Sequence, residues 1–247
     1  MDTNIFEKSY FIGAGETDPS GYCRPSALQT FLQDAATIHA ERLGLSREAL
    51  LARAGLFWVL VRSWYTLSRP ILSKETLLVR TWPRGARGAQ IYRDFDIEID
   101  GIRVGEAVTS WVLVNWETRR MVRPSVIPEA ANAYAPGRAK DIHLDKLPPA
   151  DILNEAGGRR AVYSDLDVNN HVNNVRYTDY VCDALGMENS PGVWIPSLQL
   201  GFTAQVQAGE ILRLYNGELP DGRFYVTGRG EDGSARFEAA GELADNS

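Results

Sequence analysis

The chain repeats one order of predicted secondary structure in its two halves. In the first half, a helical pattern from Pro25 to about Ala54 precedes a run of strands from Leu56 to Trp116, the first of them at Leu56 to Leu67. In the second half, a strand at Arg160 to Tyr163 comes first. A shorter helical pattern from about Asn174 to Leu185 then precedes strands between about Val193 and Glu242, one of them at about Ile211 to Glu218. A helix followed by several antiparallel strands, present twice, predicts an α+β fold of two similar halves.

These elements are predicted from hydrophobic periodicity and from the residues at their boundaries. Apolar residues from Leu28 to Ala36 recur at three- and four-residue steps, which is typical of a buried helix face. Residues Gln90 to Asp100 alternate between apolar and polar side chains, and the Asp100-Gly101 pair predicts a hairpin turn. Ser46 is predicted to cap a second helix of this half. When the halves are overlaid, Asp18 is matched with Asp165.

The segment between the two halves has a different composition. Residues 128–158 are rich in Ala, Pro and Gly and show weak periodicity, which is typical of a linker that follows the surface. The sequence therefore predicts a first domain at 1–127, a linker at 128–158 and a second domain at 159–247.

The overall composition is that of a globular protein. The 247 residues are 44% hydrophobic, and their net charge of −6 is unfavourable for a general nucleic-acid or anionic-membrane surface, although it is compatible with a local basic patch. No apolar run reaches the roughly 18 residues of a spanning helix. The acidic, polar N-terminus differs from a signal peptide. We therefore expect a cytoplasmic protein with no nucleic-acid and no membrane partner.

The cysteines and histidines give no support for metal or cofactor chemistry. Cys23 and Cys182 are too few for a disulfide framework, and Cys182 lies in an apolar helical run that favours packing. His39, His143 and His171 are not at metal-ligand spacing, and no Gly-rich phosphate loop follows a strand. We expect no metal site and no cofactor.

The most polar segment, Tyr163 to Leu185, leads into the helix of the second half. Seven Asp, Asn and His residues fall between Asp165 and Asn174. Such residues favour turns and helix caps, so one interpretation is a polar capping loop. The other is a catalytic loop that brings a carboxylate, an amide and an imidazole to a helix N-terminus, whose N–H groups and dipole favour a developing oxyanion.

Several segments together resemble the acyl-[acyl carrier protein] thioesterases of bacteria and plant plastids. The sequence YSDLDVNNHVNNVRY, at Tyr163 to Tyr177, is similar to the signature loop of that family. In the first half, FWVLVR, RTWPRG, IYRDFDI and SWVLVNWETRR resemble its landmarks in the family's order. The resemblance implies a tandem (double) hotdog fold, hydrolysis of a fatty acyl thioester on acyl carrier protein, one active site per chain and an acyl pocket in the first domain.

The resemblance also extends to individual residues. Asp167, Asn169 and His171 match the family's catalytic Asp, Asn and His. A further family carboxylate falls on Gln205, whose amide is able to orient a water but not to act as a base. The resemblance therefore leaves either Asp167 or His171 to activate the water. We expect Asp167 to be the base or to position the water, Asn169 to polarise the carbonyl, and His171 to be a second base or a partner.

The expected substrate contacts are less sharply defined. Trp58, Trp64, Trp82 and Trp111 are candidates for the acyl pocket, although an aromatic residue in a sheet more often belongs to the core. Acyl carrier protein is acidic, so its docking surface is expected to be basic despite the net charge. The candidates are Arg119, Arg120, Arg123, Arg159, Arg160 and Arg176.

Three alternatives remain open at this point. A hotdog thioesterase for acyl-coenzyme A needs the same chemistry, and a non-hydrolytic acyl-binding module is favoured by the amide at Gln205. A hotdog dehydratase is disfavoured because it wants a His and a carboxylate across a dimer tunnel. A homodimer is compatible with the sequence.

Overall fold

The computed structural model describes residues 4–132, 135 and 141–245. The chain forms two compact units, each assembled from separate segments. The first unit comprises Met1–Phe11, Thr30–Ser63 and Glu75–Leu144, and the second comprises Ile12–Gln29, Trp64–Lys74 and Asp145–Ser247. The domain limits at 127 and 158 stay a prediction, and residues 133, 134 and 136–140 of the predicted linker lie outside the described residues, as do the ends of the chain at 1–3 and 246–247.

The first unit holds most of the long helix and the strands of the first half. Its strands β1, β3, β4 and β5 pair antiparallel in that order, β2 follows β5, and the short β6 pairs with β5. The elements, of which α1 and β2 extend beyond this unit, are β1 (Phe6–Phe11), α1 (Pro25–Arg42), α2 (Arg47–Ala54), β2 (Leu56–Leu67), β3 (Thr76–Arg87), β4 (Gln90–Ile99), β5 (Ile102–Asn115), β6 (Met121–Val122) and α3 (Pro128–Ala131).

Local chemistry explains several of these boundaries. Ser46 Oγ accepts a hydrogen bond from the Ala49 N–H at 3.2 Å, so the predicted cap of α2 is confirmed. The helix ends at Gly55, whose φ of 62° is a left-handed conformation that glycine adopts without a Cβ clash. Asp100 and Gly101 have φ values of 51° and 76°, as a type I′ hairpin requires, and this confirms the predicted turn.

The second unit contains a short helix and five strands of the second half. The strands lie in the order β8, β11, β10, β9 and β7, and each neighbouring pair is antiparallel. In α4, Tyr177, Tyr180 and Val181 are buried, and the Tyr177 ring lies 5.1 Å from the ring of Phe237 on the sheet. The elements are β7 (Asn154–Arg160), α4 (Arg176–Ala184), β8 (Val193–Phe202), β9 (Ile211–Glu218), β10 (Phe224–Arg229) and β11 (Ala235–Asp245).

Two boundaries differ from the sequence prediction. A strand is predicted at Arg160–Tyr163, but β7 ends at Arg160 and Tyr163–Asp165 forms a short 3-10 helix. Among the described strands β7 pairs with β9 alone, at the edge of this unit's sheet, so it needs few apolar residues and gives a weak sequence signal. Helix α4 begins at Arg176, two residues later than predicted, because Asn173 first closes a tight turn by accepting the Arg176 N–H at 2.9 Å.

The described residues confirm the α+β class, since both units combine antiparallel strands with helices. No helix within the described ranges combines the length and the apolar character that a membrane span needs. In the same ranges, no group of three or more His, Cys, Asp and Glu side chains is arranged to hold a metal ion.

Candidate active site

The polar loop of the second unit begins with a buried carboxylate. Asp165 is 2% exposed, and its Oδ2 accepts the Val162 N–H at 3.0 Å. Its backbone carbonyl accepts the Asn173 N–H at 2.8 Å, which joins the two ends of the loop. Arg159 Nη2 lies 3.8 Å from Asp165 Oδ1 and partly offsets the buried charge. Asp165 therefore fixes the loop, and its carboxylate is occupied by structural contacts.

Within this frame, Asp167 and Asn169 are brought together. Asp167 Oδ1 accepts the Asn169 backbone N–H at 2.8 Å, and Asp167 Oδ2 lies 3.3 Å from Asn169 Nδ2. The Asp167 N–H donates to the His171 carbonyl at 2.9 Å, and Asn170 closes the turn with a φ of 60°. The carboxylate thus orients the amide, and one of the two N–H bonds of Asn169 Nδ2 is left to face a ligand.

His171 follows on the side of the loop that meets the chain after β8. The Val172 N–H donates to the Val206 carbonyl at 2.9 Å, and His171 forms an isolated bridge with Gln207. Gln205 lies beside this bridge in sequence, but its side chain is exposed. Within the described residues, no hydrogen bond links the Gln205 amide to Asp167, Asn169 or His171. The backbone geometry therefore brings three of the four predicted site residues into one turn, and the role of Gln205 stays a prediction.

Tyr177, at the end of the loop, makes a further set of contacts that the sequence did not predict. Burial raises the pKa of the Tyr177 phenol, whereas a hydrogen bond from the Val206 backbone opposes that rise. Glu210, Arg236 and Asp167 all lie close enough to act on the same phenol through their charges. Arg236 Nε donates to Glu210 Oε1 at 2.8 Å, while Glu210 Oε2 accepts the Gln207 N–H at 3.1 Å. Tyr177 is the last residue of the signature loop. Its position one helical turn after Asn173 is the sequence feature that could have predicted its contact with the loop.

The start of α4 supplies one further donor. Asn173 Oδ1 accepts the Val175 N–H at 3.3 Å, and the Arg176 N–H is satisfied by the Asn173 carbonyl. The Asn174 N–H has no acceptor in the described part of the chain. A free backbone N–H at the positive end of a helix is the kind of group that stabilises an oxyanion.

Of the four tryptophans predicted to line an acyl pocket, Trp64 lies in the second unit and the other three lie in the first. Trp58 Nε1 donates to the Leu45 carbonyl at 2.8 Å, and its ring packs on the cluster around Leu50. Trp82 is 2% exposed, and Trp111 Nε1 donates to Thr109 Oγ1 at 2.9 Å. These contacts account for the packing of the three rings in the first unit, and a role in substrate binding stays a prediction for all four.

The first half contains a loop of the same backbone design, also in the second unit. Asp18 Oδ1 accepts the Ser20 and Tyr22 N–H groups at 2.8 and 2.9 Å, and the Asp18 N–H donates to the Tyr22 carbonyl at 2.8 Å. Asp18 is therefore the counterpart of Asp167, which corrects the overlay on Asp165 inferred from the sequence. Glu16 takes the place of Asp165, because its side chain accepts the Gly13 N–H at 3.1 Å.

The two cysteines lie close to the first loop and to α4, in settings that suppress reactivity. Burial raises the pKa of Cys23 and of Cys182 to about 12, and nearby carboxylates, including Asp18, add to the rise. A thiol with such a pKa carries almost no thiolate at neutral pH, so neither cysteine is suited to act as a nucleophile.

Two family models match the chain. The acyl-ACP thioesterase N-terminal domain matches residues 3–134, and the acyl-ACP thioesterase C-terminal domain matches residues 157–233. Among curated proteins, the chain is 26% identical over 199 residues to the chloroplastic dodecanoyl-[acyl-carrier-protein] hydrolase of Cinnamomum camphora, covering 73% of this chain and 51% of that protein. It is 26% identical over 255 residues to the chloroplastic palmitoyl-acyl carrier protein thioesterase of Cuphea hookeriana, covering 97% of this chain and 59% of that protein. The chain thus spans little more than half the length of these relatives.

Solved structures give the same fold over nearly the full chain. An acyl-ACP thioesterase from Bacteroides thetaiotaomicron superimposes with a TM-score of 0.83 at 21% identity, covering 99% of this chain and 100% of that one. The 12:0-ACP thioesterase from Umbellularia californica superimposes with a TM-score of 0.82 at 22% identity, covering 98% of each chain. These likenesses confirm the predicted double hotdog fold. Because the two family models together match most of its residues, the chain belongs to the acyl-ACP thioesterase family.

Proposed function

We propose that the protein hydrolyses fatty acyl thioesters carried on acyl carrier protein and releases the free fatty acid. The observation that carries the proposal is the turn in which Asp167 orients Asn169 through two hydrogen bonds next to His171. The turn lies inside the matched C-terminal family domain, and the relatives are named as hydrolases and thioesterases of acyl carrier protein.

Asn169 is the group that acts on the thioester carbonyl. Its amide is held by Asp167 Oδ2, and the remaining N–H donates to the carbonyl oxygen. As negative charge develops on that oxygen, the bond strengthens, and the Asn174 N–H is a second donor. One such preorganised donor is worth about 3 kcal/mol of transition-state stabilisation.

His171 is the base in this proposal. A neutral imidazole accepts a proton from water as the water oxygen bonds to the acyl carbon, and then returns the proton to the departing thiolate of the phosphopantetheine arm. Asp167 is less suited to this step because both its oxygens already accept hydrogen bonds. Gln205 is assigned the weaker role of orienting the water.

The exposure of the loop is suited to a macromolecular donor. Val168 is 98% exposed and Tyr163 is 94% exposed, so the loop is open to a partner that presents its acyl group on a long arm. Arg160 is exposed beside Gly209, close to this loop, and is the basic candidate we favour for docking the acidic carrier. Arg159 and Arg176 are already engaged with Asp183 and Asp179 at 2.6 and 3.1 Å.

The test compares donors on the purified protein. Acyl carrier protein thioesters of several chain lengths and the matching acyl-coenzyme A thioesters are incubated with the chain, and free fatty acid is measured. We expect release from the carrier-protein thioesters with a higher kcat/KM than from coenzyme A, and we expect Arg160→Glu to lower only the former. A higher kcat/KM for coenzyme A would assign the chain to the alternative thioesterase class. Tight binding of acyl donors that stay intact would assign it to acyl-binding modules.

A further inference from the structure

The hairpin that joins β5 and β6 in the first unit presents an unusual surface, here called the hairpin face. Three large apolar side chains are exposed in the hairpin and in the 3-10 turn at Pro124–Val126 that follows it, with exposed fractions of 43% for Trp116, 62% for Met121 and 54% for Val126. Arginines alternate with them along the chain. The hairpin face consists of Trp116, Arg119, Arg120, Met121, Arg123 and Val126.

The backbone of the hairpin is fixed, so these side chains are held outward. Asn115 Oδ1 accepts the Glu117 and Thr118 N–H groups at 3.1 and 2.8 Å, and the Trp116 N–H donates to the Gly55 carbonyl at 2.9 Å. Val122 packs on the apolar cluster of the first unit. Because side chains alternate along a strand, Met121, the neighbour of Val122 in β6, points away from that cluster. Arg123, which follows β6, is exposed.

The arginines of the hairpin face are not neutralised by the protein. In the described ranges, Arg119, Arg120 and Arg123 form no ion pair with a carboxylate, and Glu117 is the acidic residue of the hairpin. By contrast, the exposed Arg53 in the same unit lies 3.3 Å from Glu129. The Arg119 guanidinium covers the Trp116 ring at 4.2 Å, and Arg47 approaches the same ring at 5.7 Å. A chain of net charge −6 therefore carries, around a tryptophan, a local cluster of three arginines that form no ion pair within the described ranges.

We propose that the hairpin face binds the surface of an anionic lipid bilayer. An interfacial tryptophan, exposed aliphatic groups and arginines with long apolar stems match the two layers of that surface, the acyl boundary and the headgroup phosphates. Each arginine near an anionic leaflet adds attraction that salt weakens, whereas the acidic remainder of the chain is repelled. The hairpin face therefore sets the orientation of the bound protein. The binding does not depend on hydrolysis.

Vesicle sedimentation tests the proposal on the full chain. Vesicles of phosphatidylcholine alone are compared with vesicles in which about a third of the lipid is phosphatidylglycerol, at low and high salt. We expect binding to the anionic vesicles that high salt reverses. The variants Arg120→Glu/Arg123→Glu and Met121→Ser/Val126→Ser should each lower the partition coefficient by about tenfold or more.

Matched substitutions elsewhere provide the controls. Arg87→Glu/Arg213→Glu makes the same change of charge at two other exposed arginines, and Ile102→Ser removes an apolar side chain that is 68% exposed. The partition coefficients of these controls should stay within about twofold of the parent, since binding depends on the residues of the hairpin face and not on the net charge alone. Circular dichroism and thermal unfolding identify any variant that has lost its fold.

Two results would overturn the proposal. One is a parent protein that binds neither vesicle, or hairpin variants that bind as the parent does. The other is hairpin variants with unchanged vesicle binding and a raised KM for acyl carrier protein thioesters but not for acyl-coenzyme A. That second result would assign the hairpin face to an acidic protein partner.

Discussion

The two loops built on Asp18 and Asp167 share a backbone and differ in chemistry. In each, the aspartate accepts the N–H of the residue two positions later, and its own N–H donates to the carbonyl four positions later. A left-handed residue closes each turn, Gly21 with φ of 80° and Asn170 with φ of 60°. The side chains between these fixed points are Ser20 and Tyr22 in one loop, and Asn169 and His171 in the other.

In both loops the aspartate has a structural role, whether or not the loop carries reactive side chains. It satisfies backbone donors in a loop that has no amide and no imidazole, so its presence alone does not make a site. What distinguishes the second loop is the amide that the same carboxylate also holds, Asn169 Nδ2, and the imidazole that follows. Substitutions in the two loops test that distinction.

Replacing His171 is expected to have the largest effect. If the imidazole is the base, His171→Ala should lower kcat for acyl carrier protein thioesters by about 10² to 10⁴. The matched change Tyr22→Phe in the first loop should leave kcat within about twofold, because no proton transfer depends on it. Steady-state release of fatty acid measures both. Equal losses of kcat in the two variants would contradict the assignment of His171 as the base.

Replacing Asn169 tests the donor to the carbonyl oxygen. Asn169→Ala should lower kcat by about 10² to 10³, as loss of an oxyanion donor does in other hydrolases, and KM should change much less. Ser20→Ala is the control in the first loop. A change in KM alone, with kcat intact, would show that Asn169 binds the ground state and does not act on the transition state.

Replacing the aspartates separates folding from activity. Asp18→Ala and Asp167→Ala each remove an acceptor for backbone N–H groups, so each should lower the free energy of unfolding by about 1 to 2 kcal/mol. Only Asp167→Ala should also reduce hydrolysis. Urea unfolding gives the free energy of unfolding, and fatty acid release from the same preparations gives the rate of hydrolysis. A fully active Asp167→Ala protein would contradict the proposed orientation of Asn169.

The residues that close the turns should give the smallest effects. Gly21→Ala places a Cβ at φ of 80°, where open space surrounds it, so its cost of about 1 kcal/mol should come from the backbone alone. Gly21→Asn should cost less, and Asn170→Gly should change the free energy of unfolding by no more than about 0.5 kcal/mol, because Asn tolerates this conformation. Thermal unfolding measures the series. A larger loss for Gly21→Asn than for Gly21→Ala would reject a purely conformational account.

Much of the fold was predictable because its signals are local. Strand β2 occupies Leu56–Leu67 and β9 occupies Ile211–Glu218, both as predicted from apolar runs bounded by turn residues. The strand β7 was misplaced because an edge strand with Gly157 and Gly158 has no strong pattern of its own. Its position is set by pairing with β9, which is information from elsewhere in the chain.

The polar turn of the candidate site was predictable, but its contacts were not. The density of acids and amides between Asp165 and Asn174 predicts a loop, whereas the choice of Asp167, Asn169 and His171 within it comes from the family resemblance and stays a prediction. The contacts of Tyr177 with Val206 and Glu210 were not predictable, because they depend on α4 lying against the segment between β8 and β9. The equivalence of Asp18 and Asp167 was also missed, since it rests on hydrogen bonds to the backbone that residue types alone do not specify.

In the Asp167 turn, the groups that hold the backbone are separate from the side chains proposed to react, and this has a consequence for how the sequence is able to change in evolution. The contacts that hold the turn use one carboxylate and the main chain, so the side chains at the positions of Asn169 and His171 are free to be exchanged at little cost in stability. Two substitutions are therefore able to remove the reactive side chains of such a loop while its backbone keeps the same fold. The loop at Asp18 is an already folded position into which new reactivity is able to be introduced.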